Sequence, residues 1–362
     1  MGSLFTHILK FFPDLPKILK ILDGDSGSSL VVGGAVRNAV LATDVKDIDI
    51  ATKLPPQKVI SNVKKAGGIK IVPTGLEHGT ITLVYNKTPY EITTLRKDIQ
   101  TDGRHAKVAF TDNFLEDAKR RDFTMNALYL HSDGTITDYF NGVQDLQKGR
   151  VKFIGNPEER LREDFLRIIR YFRFTMIYGK NHYDKKLLQI FKKHRKKLQI
   201  ISGNRIGNEV IKMMNAKTQD IIEGFHQIYQ CDILSHITGG LKLSPNMACL
   251  PYSDKSGSNI SDIEPQSDTL GDGYVPNITD KRAKFTLLIS HLLQDGSQLK
   301  PLMDFWGIPK DYKIMLENLA IADDVAKFSA ESSARINLAD NSQDNPLDNI
   351  FGSQQDIGKN IC

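Results

Sequence analysis

Apolar residues in the first third of the chain recur with the period of two that is typical of β-strands, interrupted by segments with helical spacing. Strands are predicted at residues 30–32, 47–50, 69–72, 79–85 and 90–95, the last three as an antiparallel meander. Helices are predicted at residues 35–41 and 57–66, with one or two short helices at 4–22. This part of the chain is therefore expected to form a sheet packed against helices.

The pattern becomes helical farther along the chain. Helices are predicted at residues 117–128, from Asn156 through at least residue 174, and from Ser202. The segment 96–113 is polar without a sustained period, which predicts a loop that folds over a substrate. After Leu243 the chain is rich in Ser, Asp, Gly and Pro, which is typical of a linker or a disordered segment. Helical patterns return at 281–293 and 301–320, where Trp306 is expected to anchor the packing.

The apolar run Leu30–Val32 leads into Gly33 and Gly34, a short helix and then the alternating segment from Asp47 to Ile50. Period-two alternation puts Asp47 and Asp49 side by side on one face of the strand. Two adjacent carboxylates repel each other unless a cation joins them. Hard oxygen ligands beside a Gly-Gly turn suit Mg²⁺ carrying a nucleoside triphosphate, so a site of this kind is predicted here.

Glu91 lies in the last strand of the predicted meander, between Tyr90 and Ile92. A third carboxylate arriving on a neighbouring strand would complete a two-metal site. An ordinary solvent-facing strand residue fits the same spacing. Both interpretations of Glu91 remain open at the level of the sequence.

A second concentration of charge follows Asn156, where arginines and acids recur at three- and four-residue steps along one side of the predicted helix. Asp164 supplies an acceptor and Arg167 a fork of donors, a pair that could imitate the Watson–Crick partner of a base. A salt-bridged solvated face is the alternative. Farther on, residues 180–197 contain eight lysines or arginines and one acid, which suits either a phosphate backbone or a solvated basic face.

Composition narrows the class of protein. The 362 residues are 40% hydrophobic with a formal net charge of +5, enough for two or three domains with a sizeable core. The three cysteines have no metal-ligand spacing, so neither a zinc site nor a disulfide framework is expected. No apolar run reaches the ~18–20 residues of a membrane span, and the N-terminus lacks the pattern of a signal peptide. No membrane partner and a cytoplasmic location are therefore predicted.

The joint presence of GGAVRN…DIDIAT, RRDFTMNAL and REDFLRIIRYFRF, in this order, resembles the class II tRNA nucleotidyltransferases. This CCA-adding branch shares its head with bacterial poly(A) polymerases in the polymerase-beta-like nucleotidyltransferase superfamily. The resemblance implies an α+β fold, with a head of antiparallel or mixed sheet and helices followed by an all-α neck, body and tail. The predicted boundaries are head 1–150, neck 151–215, body 216–243, linker 244–280, tail 281–336 and a frayed end 337–362.

The resemblance also implies roles for particular residues. Asp47 and Asp49 match the Mg²⁺ ligands, and Glu91 is kept as a third catalytic carboxylate. The implied nucleotide-binding residues are Gly33, Gly34 and Arg37 for the triphosphate, Arg121 and Asp122 for the ribose, Asp164 and Arg167 for the base, and Arg170 and Arg173 to complete the pocket. The segment 96–113 resembles the flexible element that lets such enzymes switch from CTP to ATP. Asn38 departs from the family pattern, because many relatives have Asp there.

The implied reaction is addition of CCA to the 3′ end of tRNA from CTP and ATP, with Mg²⁺ as cofactor and release of pyrophosphate. Two alternatives stay open. One is a poly(A) polymerase built on the same head, for which the chain lacks an extended tail rich in arginine and lysine. The other is an RNA-binding protein that kept the fold and lost catalysis, against which the intact Asp47 and Asp49 argue.

Overall fold

A seven-stranded mixed sheet organises the N-terminal part of the chain in the computed structural model, which describes residues 2–23, 26–102, 105–241, 281–292 and 296–309. The described strands are β1 (Ser29–Val32), β2 (Asp49–Thr52), β3 (Lys70–Gly75), β4 (Thr80–Tyr85), β5 (Thr88–Thr94), β6 (Arg96–Asp102), β7 (His105–Phe110), β8 (Leu128–Leu130) and β9 (Ile136–Asp138). The order in the sheet is β3-β4-β5-β2-β1-β8-β9, and only β2 and β5 pair in parallel among these neighbours. β6 and β7 form a separate hairpin.

Both faces of the sheet are covered, which explains why the interior strand β1 is buried along its whole length and apolar after Ser29. One face packs on α1 (Ser3–Leu9), α2 (Leu15–Asp23), α3 (Gly34–Val40) and α4 (Pro56–Ala66), with Val31 and Ile50 in their shared core. The other face carries Leu30, Val32 and Ala51 and packs on α5 (Phe114–Lys119). α6 (Gly142–Gln147) follows β9 along the chain. The predicted meander and the helix near residues 57–66 are confirmed.

Helices make up the described chain beyond residue 156: α7 (Pro157–Glu163), α8 (Leu166–Tyr178), α9 (Lys185–His194), α10 (Gly203–Met213), α11 (Thr218–Gln230), α12 (Leu234–Ile237), α13 (Lys281–Leu292) and α14 (Leu299–Trp306). They share one hydrophobic core, which also takes in Phe123 and Phe153 from the end of the sheet-bearing part. Trp306 is 1% exposed in this core, as predicted. Within the described residues, no helix is long and apolar enough to cross a bilayer.

Three local predictions are wrong. Residues 96–113 contain the hairpin β6–β7 rather than a loop. The predicted helix 117–128 ends at Lys119, because the Asp122 carboxylate accepts the Phe123 amide and offers the backbone a local alternative to the helix. The helix predicted from Asn156 through residue 174 is broken at Asp164, where the backbone is extended (φ −158°, ψ 108°) and the side chain accepts the amide of Leu166. The arginines therefore do not form one continuous helical stripe.

The α+β class is confirmed, whereas the division into head, neck, body and tail stays a prediction. The predicted linker 244–280, residues 310–336 of the predicted tail and the end 337–362 lie outside the described residues.

Close backbone approach joins α14 to α10. A Cβ added at Gly207 would lie 2.6 Å from the Cβ of Trp306, and one added at Gly203 would overlap the carbonyl of Phe305. Both glycines are buried in a helix, where their weak helix propensity is offset by this packing. This contact holds α14 against α10, the helix that also contributes side chains to the site described below.

We expect Gly207→Ala to lower the melting temperature by several degrees, because the added methyl group must push α14 away and overpacking costs about 1–3 kcal/mol. Thermal unfolding followed by circular dichroism measures the effect. Asn208→Ala, at the neighbouring exposed position of the same helix, is the matched control and is expected to be neutral or slightly stabilising. Equal stability of the Gly207 variant and the wild type would contradict the packing described here.

Candidate active site

A tight turn between β1 and α3 forms one wall of the site. Gly33 adopts φ 73°, a left-handed conformation that favours glycine, and it directly precedes α3. Arg37, on the first turns of α3, is 8% exposed, donates to the side-chain carbonyl of Asn126, and lies 4.4 Å above the Tyr178 ring. Its guanidinium also donates to the Tyr178 hydroxyl at 3.1 Å. The turn is therefore connected through Arg37 to α8.

Two of the predicted carboxylates meet where β2 and β5 pair. Asp49 begins β2 and lies opposite Glu91 on the parallel strand β5, so the two side chains share a face of the sheet. Burial first, and then the Glu91 carboxylate, raise the pKa of Asp49 to about 6 against the opposing charge of Arg121. Asp47 lies just before β2, lines a cleft with Asp49, and adds a smaller repulsion. The structure thus places Asp49 beside Glu91 across the β2–β5 pair and beside Asp47 in the wall of the cleft.

This arrangement fits Mg²⁺ held jointly by protein and substrate. Within the described residues, no group of three His, Cys, Asp or Glu side chains is placed to hold a metal by itself. Mg²⁺ in phosphoryl-transfer sites is bound by one or two carboxylates together with substrate phosphates. Burial and then the Glu91 carboxylate disfavour the ionised form of Asp49, and a divalent cation between Asp47 and Asp49 would favour that form.

Asp117 fixes the two arginines that follow α5. It is 1% exposed and accepts hydrogen bonds from Arg120 at 2.6 Å and Arg121 at 3.2 Å, while the Tyr129 hydroxyl donates to it at 2.7 Å. Burial alone would raise the pKa of Asp117, but the two guanidinium groups hold that pKa at about 2. Asp117 therefore stays ionised, and Arg121 is held in place with its guanidinium near Gly33.

Asp122 joins the sheet-bearing part to α8. One oxygen of its carboxylate accepts from the Phe123 amide and the Asn126 side chain, and the other accepts two hydrogen bonds from Arg170, at 2.6 and 2.8 Å. Burial would raise the pKa of Asp122, yet the Arg170 guanidinium and the hydrogen bonds hold that pKa at about 2. A guanidinium nitrogen of Arg170 also lies 3.5 Å from a carboxylate oxygen of Glu209 on α10. Glu209, 4% exposed, also accepts from Arg173 at 2.5 Å.

The side chains of Asp164 and Arg167 reach the same cleft without a hydrogen bond between them, although the Arg167 amide donates to the Asp164 carbonyl at 3.1 Å. Asp164 accepts from Arg205 of α10 at 2.7 Å, which fixes the residue that breaks the helix. Arg167 donates to the carbonyl of Arg160 at 2.7 Å and pairs with Glu163. A base could still meet both side chains from the cleft. Their assignment to the base stays a prediction, with Arg205 as an additional partner.

One cleft of about 450 Å³ is lined by all nine of the predicted nucleotide-binding residues. The charged side chains that line it are Asp49, Asp122, Asp164, Arg37, Arg120, Arg121, Arg167, Arg170, Arg173 and Arg205. Seven arginines against three aspartates make the cleft cationic, which suits a polyphosphate. Gly33 and Gly34 lie in its wall. We refer to it below as the arginine cleft.

Several residues of this site were missed by the sequence analysis. Arg120 and Asn126 line the arginine cleft, and Glu209 holds two of its arginines. The presence of both Arg120 and Asn126 within the motif RRDFTMNAL was an available signal. For Glu209 the signal was weaker: an acid at an inward position of an amphipathic helix, four residues after Arg205.

Comparison with known proteins agrees with the fold and the site. Residues 29–152 match the family model described as the Poly A polymerase head domain, so the sheet-bearing part has the fold of a polymerase-beta-like nucleotidyltransferase head. The chain is also similar to CCA-adding enzymes. The human protein named CCA tRNA nucleotidyltransferase 1, mitochondrial, is 38% identical over 273 residues, which cover 74% of this chain and 59% of the human protein. The resemblance inferred from the motifs is confirmed.

Bacterial CCA-adding enzymes are similar to the chain as well. The CCA-adding enzyme of Oceanobacillus iheyensis is 40% identical over 202 residues, 55% of this chain and 49% of that enzyme. The chain therefore spans about half to three fifths of the length of these two relatives. The crystal structure of the Bacillus stearothermophilus CCA-adding enzyme in complex with CTP matches with a TM-score of 0.64 at 24% identity, over 85% of this chain and 70% of that one. This likeness confirms the predicted fold.

We expect Asp49→Asn to raise the melting temperature of the metal-free protein at pH 7.5. The folded-state pKa of about 6 lies above the unfolded value of 3.8, so the ionised carboxylate destabilises the fold above pH 6, on the order of 2 kcal/mol, and this cost is relieved as the pH falls towards 4. The amide removes the cost at neutral pH. Exposed Asp112, changed to Asn, is the matched control and is expected to leave stability unchanged.

Addition of Mg²⁺ in the same thermal scans separates the effect of the Asp49 charge on stability from the role of Asp49 in binding the metal. The wild type is expected to gain stability with Mg²⁺ because the ion binds the folded state, whereas Asp49→Asn is expected to gain little. The Mg²⁺ effect on the wild type should weaken below about pH 6, where Asp49 binds a proton. A lower melting temperature for the metal-free variant would contradict the raised pKa, and equal Mg²⁺ effects would contradict the metal assignment.

Proposed function

We propose that this chain catalyses template-independent addition of CCA to the 3′ end of tRNA, using CTP and ATP with Mg²⁺ and releasing pyrophosphate. The observation that carries the proposal is the arginine cleft, in which Asp49, the Gly33–Gly34 turn and the fixed pairs Asp122–Arg170 and Asp164–Arg205 face one nucleotide-sized space. The names of the relatives add support, because the human and Oceanobacillus proteins are named as enzymes of CCA addition.

The proposed chemistry is an in-line displacement at the α-phosphorus of the nucleotide. The 3′-hydroxyl oxygen forms a bond to phosphorus while the bond to the bridging oxygen of pyrophosphate breaks, and the hydroxyl proton passes to a carboxylate of the site. Glu91 lies beside Asp49 and is the candidate acceptor of this proton. Mg²⁺ held by Asp47 and Asp49 would lower the pKa of the attacking hydroxyl and neutralise the departing charge.

Side chains of the arginine cleft would orient the nucleotide. Arg37 and Arg121 are fixed by Tyr178 and Asp117 and would hold the phosphates and ribose without reorganisation. The base would lie against Asp164 and Arg167, where hydrogen-bond donors and acceptors replace those of a template strand. Asn38 donates to the carbonyl of Asp44 at 2.8 Å, so the amide that stands in place of the common Asp still closes the loop before Asp47.

The experiment incubates the full chain with tRNA lacking CCA, Mg²⁺, and labelled CTP and ATP, and resolves the products on a sequencing gel. Products that end in CCA are expected, and Asp47→Ala is expected to abolish them because a metal ligand is removed. Exposed Asp112, which lies outside the cleft, changed to Asn is the matched control for folding, judged by circular dichroism.

Other outcomes of the same experiment would identify one of the two alternative functions. Long tails of A would identify a poly(A) polymerase, in keeping with the description of the head-domain family. Tight tRNA binding without incorporation would identify an RNA-binding protein. A cytoplasmic location stays a prediction, since the human relative carries the word mitochondrial in its name.

Asp164→Ala is expected to reduce the preference for CTP and ATP over GTP and UTP by about ten-fold or more, because one or two hydrogen bonds to the base are lost at roughly 1–3 kcal/mol each. Binding of tRNA is expected to persist. Single-nucleotide incorporation measured with each triphosphate in turn gives the preference. Glu159→Ala, an exposed acid of α7, is the control, and an unchanged preference in Asp164→Ala would rule out its role in base selection.

A further inference from the structure

Arg37 differs from the other arginines of the arginine cleft in its partners. Six of the seven form an ion pair with a protein carboxylate, namely Arg120, Arg121, Arg167, Arg170, Arg173 and Arg205. Among the described residues, no carboxylate lies within ion-pair distance of Arg37, whose guanidinium has neutral hydrogen-bond partners. A phosphate group at Arg37 would therefore meet a cation that no protein acid already neutralises.

Neutral side chains hold Arg37 in the place where the other arginines have an acid. Its guanidinium donates to the side-chain oxygen of Asn126 and to the Tyr178 hydroxyl, the latter at 3.1 Å. The guanidinium carbon lies 4.4 Å from the centre of the Tyr178 ring and 5.2 Å from that of Phe174. Aromatic faces and neutral acceptors stabilise a buried guanidinium without cancelling its charge. Arg37 is thus fixed in orientation and still fully cationic towards the cleft.

Tyr178, the last residue of α8, also connects Arg37 to the loop that precedes Asp47. Its hydroxyl donates to the side-chain oxygen of Asn38 at 3.4 Å, and the Asn38 amide nitrogen donates to the carbonyl of Asp44 at 2.8 Å. Because the one proton of the hydroxyl points to Asn38, its lone pairs are left to accept from Arg37. An ionised carboxylate at position 38 could not donate to Asp44. The amide at this position therefore suits a chain that carries Tyr178.

We propose that Tyr178 is a positioning residue for the phosphate chain of the nucleotide, and that together with Asn38 it fixes Arg37 so that the site selects a triphosphate over a monophosphate. This inference rests on the proposed function and adds the residues that set this selectivity. A nucleoside monophosphate offers the same base and ribose to the cleft but lacks the β- and γ-phosphates that would neutralise Arg37. Only the longer phosphate chain therefore gains from the orientation that Tyr178 gives to the guanidinium.

Equilibrium binding of CTP and CMP to the full chain, with Mg²⁺ and without RNA, tests the role of Tyr178. Tyr178→Phe keeps the ring and removes the hydroxyl, and it is expected to weaken CTP binding by about three- to ten-fold. Tyr178→Leu removes the ring as well and is expected to cost about ten-fold or more. Neither change is expected to alter CMP binding by more than about two-fold, because the base and ribose contacts remain. Tyr229→Phe, at a partly exposed position of α11 outside the arginine cleft, is the control.

A double-mutant cycle tests whether Asn38 and Tyr178 act together on Arg37. Asn38→Ala is expected to weaken CTP binding by itself, and its combination with Tyr178→Phe is expected to lose little more than the larger of the two single losses. Residues that share one hydrogen-bonded network depart from additivity in this way. Losses that multiply in the double variant would contradict their joint action.

Equal losses of CTP and CMP affinity in the Tyr178 variants would overturn the proposal, since they would indicate general damage to the cleft. Unchanged CTP affinity in Tyr178→Leu would overturn it too, as would a wild type that binds CTP no more tightly than CMP. These binding measurements need no turnover. If the wild type adds no nucleotide to tRNA, the proposed function fails, and the role of Tyr178 is still decided by the ratio of CTP to CMP affinity.

Discussion

The ion pair between Asp122 and Arg170 connects the two halves of this protein, and the geometry of the arginine cleft depends on it. Asp122 follows the helix that packs under the sheet, whereas Arg170 lies on α8 among the helices. Both oxygens of Asp122 are occupied, by Arg170 on one side and by Asn126 and the backbone on the other. Removal of Arg170 would leave the buried Asp122 carboxylate without its ionic partner, which typically costs about 3–5 kcal/mol.

The contacts continue outward from this pair. Glu209 of α10 accepts from both Arg170 and Arg173, and Asp164 accepts from Arg205 of the same helix. α10 therefore holds three charged side chains of the cleft and is itself packed on α14 through Gly203 and Gly207. The arginines are fixed before a nucleotide arrives, so little of the binding free energy would be spent on ordering them.

The sequence was sufficient to predict those features that depend on short-range pattern. The strand, Gly-Gly turn, helix and strand around Asp49 follow from residues 30–52 alone, whereas the sequence left open whether Glu91 joins Asp49 or faces solvent. The resemblance carried by GGAVRN…DIDIAT, RRDFTMNAL and REDFLRIIRYFRF correctly identified the class. Each of these signals lies within about twenty consecutive residues or in the order of such segments.

Features that depend on tertiary partners could not be predicted in the same way. Asp164 has the spacing of a helical residue, yet its carboxylate caps the next helix and bonds to Arg205, forty-one residues later. Arginine side chains are long and can reach several acids, so the choice of Glu163 for Arg167 and Asp122 for Arg170 depends on how the helices pack. The hairpin in 96–113 was missed because its polar composition gives no period.

We propose that fixed side chains of the protein select the nucleotide without a nucleic-acid template. The decisive measurement is equilibrium binding of CTP, ATP, GTP and UTP to the full chain with Mg²⁺ and no RNA. CTP and ATP are expected to bind at least ten-fold more tightly than GTP and UTP under these conditions. Equal affinity for all four nucleotides in the absence of RNA would contradict it.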